Sequence, residues 1–359
     1  MALSQKNFIA GAIKYDIIDI PHENYFAQGE LYMRRRLIIA ALLGAISTMM
    51  FSTTVFAATN ELTGLPVDDS IAAQRPVAIM VDNEKKALAH FGTGEADIVY
   101  EMMNSTANGR ITRLMCLYKD WQNLGQTGSI RSARTTNVML TGEYNAVLVH
   151  DGGPKYIKTY LAKDYAAHLS GSFSRIKNGK PTEYTEYCFG SELVSRFAKA
   201  GLPTTYTYGL ERPTHFLFND ADVVREGAPA GTVDLNGVFP HNRSILTFNP
   251  ETRTYDYSEY GALHQDAEDG QTLSFKDVIL QEVSFNLLDK NGYMTYNVVG
   301  SGNGYYISNG VAIPITWTKG SETGFTHFYD AGGAELMINR GKVYIGLVPS
   351  DSWGSVVIG

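Results

Sequence analysis

The stretch Gly128-Ser129-Ile130-Arg131-Ser132-Ala133-Arg134 stands between a strand-like run, Arg110 to Lys119, and a helix-like run, Ala133 to Tyr144. Strand, turn and helix in that order mark a mixed α and β layer. The turn sets two guanidiniums three positions apart at the predicted helix start, beside backbone N–H groups that lack intrahelical partners. That arrangement favours an anion. Ser129 or Ser132 is positioned to cap the helix.

Outward from the turn, the same alternation continues. Pro76 to Val81 is a compact apolar strand ending at Asp82-Asn83, and Ala96 to Met103 pairs with Arg110 to Lys119 as a hairpin about Asn104-Ser105-Thr106-Ala107-Asn108-Gly109. Ala146 to His150 reads as a short buried strand, followed by Asp151-Gly152-Gly153-Pro154 and a helical stretch from Lys155 to Asp164. A further helix is predicted from Ser191 to Ala200, ended by Gly201 and Pro203. From about Val233 the chain reads as strands and turns. The runs are Ile245 to Asn249, Thr254 to Ser258, Lys276 to Leu287, Tyr293 to Val299, Gly304 to Ser308, Val311 to Thr318, Thr326 to Asp330, Glu335 to Asn339 and Val343 to Pro349. Asn291-Gly292, Asn309-Gly310 and Gly332-Gly333 predict tight hairpins, hence an antiparallel meander or sandwich. The composition changes near Gly227-Ala228-Pro229-Ala230-Gly231, which predicts a boundary there.

Met33 opens a second start-like sequence: Arg34, Arg35 and Arg36, then the apolar run Leu37 to Phe51, then Val55-Phe56-Ala57. These are the three regions of a secretory signal, predicted over residues 33–57. Its apolar core is shorter than the roughly 20 residues that span a bilayer, so cleavage before Ala58 is expected. Residues 1–32 then read as a misassigned extension, and 58–74 as a polar lead-in. Without the five basic and four acidic residues before Ala58, 25 Lys and Arg remain against 33 Asp and Glu. This mildly acidic balance argues against nucleic acid or an anionic membrane as partner, since both reward clustered Lys and Arg. The mature chain carries no other long apolar run, so no transmembrane helix is expected. Its two cysteines, Cys116 and Cys188, fit either a disulfide or two separate buried thiols.

Several segments, taken in order, resemble the YerB-like family of bacterial extracytoplasmic proteins of unknown function. They are Leu62-Thr63-Gly64-Leu65-Pro66, Arg75 to Asn83, Ala96-Asp97-Ile98-Val99-Tyr100-Glu101, Arg110-Ile111-Thr112-Arg113, the arginine turn itself and Val149-His150-Asp151-Gly152-Gly153. Gly300-Ser301-Gly302, Gly310, Trp317-Thr318-Lys319 and Asn339-Arg340-Gly341 are similar to that family's second domain. The resemblance implies an α/β (α+β) fold: a layered β-β-α, sandwich-like part over residues 75–227, with helices on one side, and a β-rich antiparallel part over 232–359. It implies no established activity. Many members of the family are predicted lipoproteins, whereas no lipid-accepting cysteine follows the apolar run here. Arg340 and Val343-Tyr344 also depart from the usual ending of the second domain.

The candidate ligand-binding residues are Asp82, Asn83, Glu101, Arg113, Arg131, Ser132, Arg134, His150, Asp151, Gly152 and Gly153. Arg131 and Arg134 can grip a carboxylate or phosphate through paired donors; equally, they can bond internal acids at Asp82, Asp97 or Glu101. His150 ends a strand before a helix, where glycines let a ligand approach the backbone. One His with one Asp supplies too few ligands for a metal site, and no cofactor is expected. Asp82 and Glu101 form a candidate carboxylate pair for glycoside cleavage. Trp317, Tyr305, Tyr306 and Tyr329 offer a sugar-stacking face or ordinary strand packing. No nucleophile elbow, phosphate loop, calcium loop or HExxH motif is present. The chain therefore reads as a secreted envelope protein that binds a polar or anionic ligand, or another exported protein, without catalysis. The alternative is a wall-directed hydrolase using Asp82 or Glu101 with His150.

Overall fold

Val77-Ala78-Ile79-Met80-Val81 is apolar at every position, which suits a strand covered on both faces. In the computed structural model, which describes residues 58–359, this strand lies within an eleven-stranded sheet. The predicted extension and signal fall outside the described residues. In chain order the strands are β1 (Val77–Asp82), β2 (Ile98–Met103), β3 (Thr112–Tyr118), β4 (Val147–His150), β5 (Ala167–Ser170), β6 (Ala228–Pro229), β7 (Asp277–Val283), β8 (Gly300–Ser308), β9 (Val311–Lys319), β10 (Thr326–Tyr329) and β11 (Val343–Pro349). Their spatial order is β6-β9-β8-β7-β11-β2-β3-β1-β4-β5, with β10 also paired to β9.

Strands of both predicted parts share this sheet. β11 lies between β7 and β2 and runs parallel to each, with Val343 opposite both Asp277 and Ile98. The rest of the C-terminal region is largely antiparallel, as its turn signals predict. Asn309 and Gly310 both have positive φ, 53° and 78°, the backbone a two-residue turn between β8 and β9 requires. The predicted run Lys276 to Leu287 breaks after Val283, and Phe285–Leu287 pairs instead with Met294–Tyr296.

The alternation of side chains along each strand feeds two separate cores. Val77, Ile79, Val81, Val99, Leu114 and Cys116 face a second, six-stranded sheet that supplies Val233, Leu246, Tyr255, Tyr257 and Phe275. Ala78, Met80, Ile98, Tyr100, Met115 and Leu117 face α1 (Thr135–Glu143), which contributes Val138, Met139 and Leu140, and α2 (Ile157–Leu161), which contributes Ile157. The layers are thus β, β and α, an α+β arrangement. One helix departs from the expected side. α3 (Gly190–Ala200) packs Leu193 and Phe197 into the first core, where Phe197 stacks on Trp121 at 4.4 Å. Gly201 ends it at φ 63°.

The stretch 58–74 does more than lead in. Ala58–Thr59 pairs with Pro66–Val67, Leu62 is fully buried in the helical-face core, and Glu61 meets Lys119 at 3.0 Å. Cys116 and Cys188 are free, buried thiols, so of the two readings the structure has the unbonded one. Burial pushes the Cys116 thiol up to about 12 and raises Cys188 as well, leaving both unreactive near neutral pH.

Candidate anion site at the arginine turn

β1 pairs with β4 only from Val77 to Ile79. Beyond that point the arginine turn takes over the ladder: Arg131 N–H donates to the Met80 carbonyl and Asp82 N–H to the Ser129 carbonyl, each at 3.0 Å. The loop after β4 closes the other side, through Asp151 N–H to the Arg131 carbonyl at 3.0 Å and Ala133 N–H to the Gly152 carbonyl at 3.2 Å. Asp82, the arginine turn and His150 to Gly152 therefore meet beyond the C-terminal ends of two parallel strands, a common ligand-facing position in sheets of this kind.

α1 starts two residues later than predicted. Arg134 is its N-cap residue, and the Asn137 side-chain carbonyl accepts the Arg134 N–H at 2.7 Å. Neither serine caps the helix. Ser129 is fully buried with its hydroxyl unpartnered, while the Ser132 hydroxyl accepts from Arg134 Nη1 at 3.0 Å.

Three guanidiniums converge here. Arg113 sits opposite Asp82 in the β1–β3 ladder, and its Nη1 lies 3.3 Å from Asp82 Oδ1. Arg131 Nε lies 2.6 Å from Asp82 Oδ2, and Arg131 Nη2 reaches the exposed Glu183 carboxylate at 3.4 Å. Arg134 has no carboxylate partner among the described residues. Its Nε donates to the Asn104 carbonyl at 3.2 Å, its Nη1 to the Ala133 carbonyl at 3.0 Å, and its plane lies 5.1 Å from the Tyr293 ring centre. Burial first, then the nearby charge of Arg113, pushes the Arg134 pKa down to about 9. Arg113 is also lowered, chiefly by burial.

The other candidates divide. Side chains alternate along β1, so Asp82 points to the helical face with the arginines and Asn83 to the opposite face. There Asn83 Nδ2 donates to Thr112 Oγ1 at 2.8 Å and approaches Glu101 Oε1 at 3.4 Å. Glu101 is fully buried and also accepts from Thr112, Ser244, Tyr257 and Tyr344 at 2.7–3.1 Å. Burial raises its pKa, and the surrounding hydroxyls counter that shift. The proposed Asp82–Glu101 carboxylate pair is thereby corrected: the two project from opposite faces of one sheet and share no cleft.

His150 is also engaged within the fold. Its Nδ1–H donates to the Gly152 carbonyl at 2.8 Å, which leaves Nε2 to accept from His168 Nδ1–H at 3.3 Å. Burial lowers its pKa, favouring the neutral ring. Asp151 faces Arg175 at 3.8 Å instead of the arginine turn. Gly152 and Gly153 are exposed beside Arg131 and Ser132, which are half-buried. Of the aromatic set, Trp317 and Tyr306 are buried in the core, so these four residues do not form one sugar-stacking face.

Sequence reading missed Asn104, Glu183 and Tyr293. Asn104 opens the predicted β2–β3 turn and was visible as a turn residue. Tyr293 comes from the far C-terminal region, with no local signal that it lies against Arg134.

Fold and site together define a layered α+β protein with an arginine cluster at the end of its central sheet. A family model described as "Protein of unknown function (DUF3048) N-terminal domain" matches residues 62–203, and the corresponding C-terminal domain model matches residues 234–345. The chain belongs to this YerB-like family of bacterial proteins, whose function is unknown. It is 26% identical over 309 residues to "Putative lipoprotein YerB" of Bacillus subtilis (strain 168), covering 82% of this chain and 85% of that protein. A crystal structure of YerB from Bacillus subtilis superposes with a TM-score of 0.71 at 22% identity, covering 84% of this chain and 99% of that one. Among the described residues, no helix is long and apolar enough to cross a membrane.

Proposed function

We propose that the protein is an exported, envelope-associated binding protein whose arginine cluster takes an anionic group, a carboxylate or phosphate, of an envelope ligand. The carrying observation is the imbalance at the turn. Three guanidiniums meet two carboxylates, one of them on the exposed Glu183, and Arg134 meets none among the described residues. An anion beside Arg131, Ser132 and Arg134 supplies the missing charge and accepts from Arg134 Nη2 and the Ser132 hydroxyl, since Arg134 Nε and Nη1 already donate within the protein. Export is supported by the signal-like sequence at 33–57 and by the lipoprotein name of the Bacillus subtilis relative. Burial of Glu101 and the double pairing of Asp82 favour binding over hydrolysis, since neither carboxylate is free to act as a base.

The test is the melting temperature of the protein with inorganic phosphate replacing chloride at fixed ionic strength. Phosphate is expected to raise it clearly more in the wild type than in Arg134→Gln, which keeps only the general stabilisation phosphate gives any fold. Equal responses from the two proteins would remove the turn as the site.

A further inference from the structure

A second cluster lies on the other face of the sheet, where sequence reading expected no metal. His90 sits in the loop between β1 and β2; Glu259 ends the strand Thr254–Glu259, and His264 follows the tight turn at Tyr260-Gly261. All three are buried, and one ligating atom from each lies within 4.8 Å of the others.

The hydrogen bonds around them fix where the protons are. Thr93 Oγ1 lies 2.9 Å from Asp266 Oδ2 and 3.0 Å from His264 Nε2. The hydroxyl has one proton, and the carboxylate can only accept it, so Thr93 must in turn accept the His264 Nε2–H. With its one ring proton on Nε2, His264 turns the lone pair of Nδ1 toward Glu259 Oε1, 2.8 Å away. Two acceptors at that distance need a cation between or beside them. A proton on Nδ1 meets that single contact but leaves the rest of the cluster unmet. The second oxygen of Glu259 is buried without a hydrogen-bond partner, and neither ring nitrogen of His90 makes a well-formed hydrogen bond: beyond an approach to the Asp82 backbone, its Nδ1 lies 4.0 Å from Glu259 Oε1. Buried polar groups left in this state are unusual and call for a ligand or ion.

The surroundings are those of a metal site. The Asp266 carboxylate that holds Thr93 is itself fixed by the N–H groups of Gly92, Gly94 and Glu268 at 2.7–3.0 Å. This carboxylate–hydroxyl–imidazole chain orients His264 as outer groups orient metal-binding histidines. A cavity of about 210 Å³, lined by Leu88, Ala89, Leu263 and Gln265, reaches Glu259 and His264. It offers room for a fourth, exchangeable ligand.

We propose that His90, Glu259 and His264 bind one divalent transition-metal ion of the zinc class, with a fourth coordination position facing this cavity. Two imidazoles and one carboxylate suit such an ion; magnesium and calcium require more oxygen ligands. The site is independent of the arginine cluster.

The experiment is zinc titration of the chelator-stripped full chain, followed by calorimetry and by metal content after dialysis. The wild type is expected to retain one ion per chain and to melt at a higher temperature with zinc than with chelator. His90→Leu removes a ligand and two buried polar atoms that lack a well-formed hydrogen bond, so it is expected to fold, to melt no lower than the wild type in chelator, and to show no zinc shift. Glu259→Gln is expected to weaken retention at least tenfold. His327→Gln serves as control, because His327 lies with Glu211 and Glu335 in a more open cluster; it is expected to bind zinc as the wild type does. Failure of the wild type to retain an ion, unchanged retention in His90→Leu, or loss of retention in His327→Gln overturns the proposal.

Discussion

Asp82 and Glu101 are both buried carboxylates near the ends of neighbouring ladders, yet their surroundings are opposite. Glu101 is met by neutral donors from both halves of the chain: Asn83 and Thr112 from one, Ser244, Tyr257 and Tyr344 from the other. Asp82 is met by two arginines, with a third close by that it does not reach. The first site is closed and complete. The second carries surplus positive charge and lies near the exposed glycines after β4. A buried acid satisfied by hydroxyls holds the layers together, whereas one outnumbered by guanidiniums is where the proposed binding reading puts another anion.

Substitutions should separate these roles. Glu101→Ala strands five buried donors and is expected to cost about 4–5 kcal/mol, read by urea unfolding; a cost below about 1 kcal/mol would break the contrast. Asp82→Asn leaves Arg113 and Arg131 without their shared anion and is expected to cost about 3 kcal/mol, partly restored by phosphate.

Asp277 gives a further comparison, a buried acid that burial raises to about 7 while Tyr306 donates to it at 2.7 Å. Its folded pKa exceeds the unfolded one, so the folded state holds a proton that the unfolded chain releases. The stabilisation is full below about pH 4 and is lost as pH rises toward 7. Asp277→Asn is expected to flatten that decline by roughly 2–4 kcal/mol, measured by unfolding between pH 4 and 7.5. The smallest effect is predicted for Arg134→Met. It should change stability by less than about 1 kcal/mol without ligand, because the desolvated guanidinium lacks a carboxylate partner, while cutting the phosphate response to the general stabilisation. A large loss of stability would make Arg134 a structural residue.

The local grammar of the fold was legible. Asn309-Gly310 marked its hairpin, Gly201 its helix end, and the unbroken apolar run at Val77 its doubly covered strand. Alternation along β1 also carried, unread, the information that Asp82 and Asn83 face different layers. The partner of each ladder was harder to see. Val343 to Pro349 reads as a buried strand, but nothing in its composition says that it enters between β2 and β7, because apolar packing does not encode which neighbour is chosen. The same limit hid Tyr293 beneath Arg134, and it kept His90 apart from Glu259 and His264, whose meeting depends on packing the second sheet against the first.

The position of β11 sets an order in time. The ribosome makes β2 some 240 residues before β11, and until β11 arrives β2 has one ladder edge unpaired. Such an edge is a template for association with other chains, and closing it requires a contact spanning most of the sequence, which folds slowly. A chain cut before Val343 should therefore aggregate through β2 even though every residue of the arginine turn is already present.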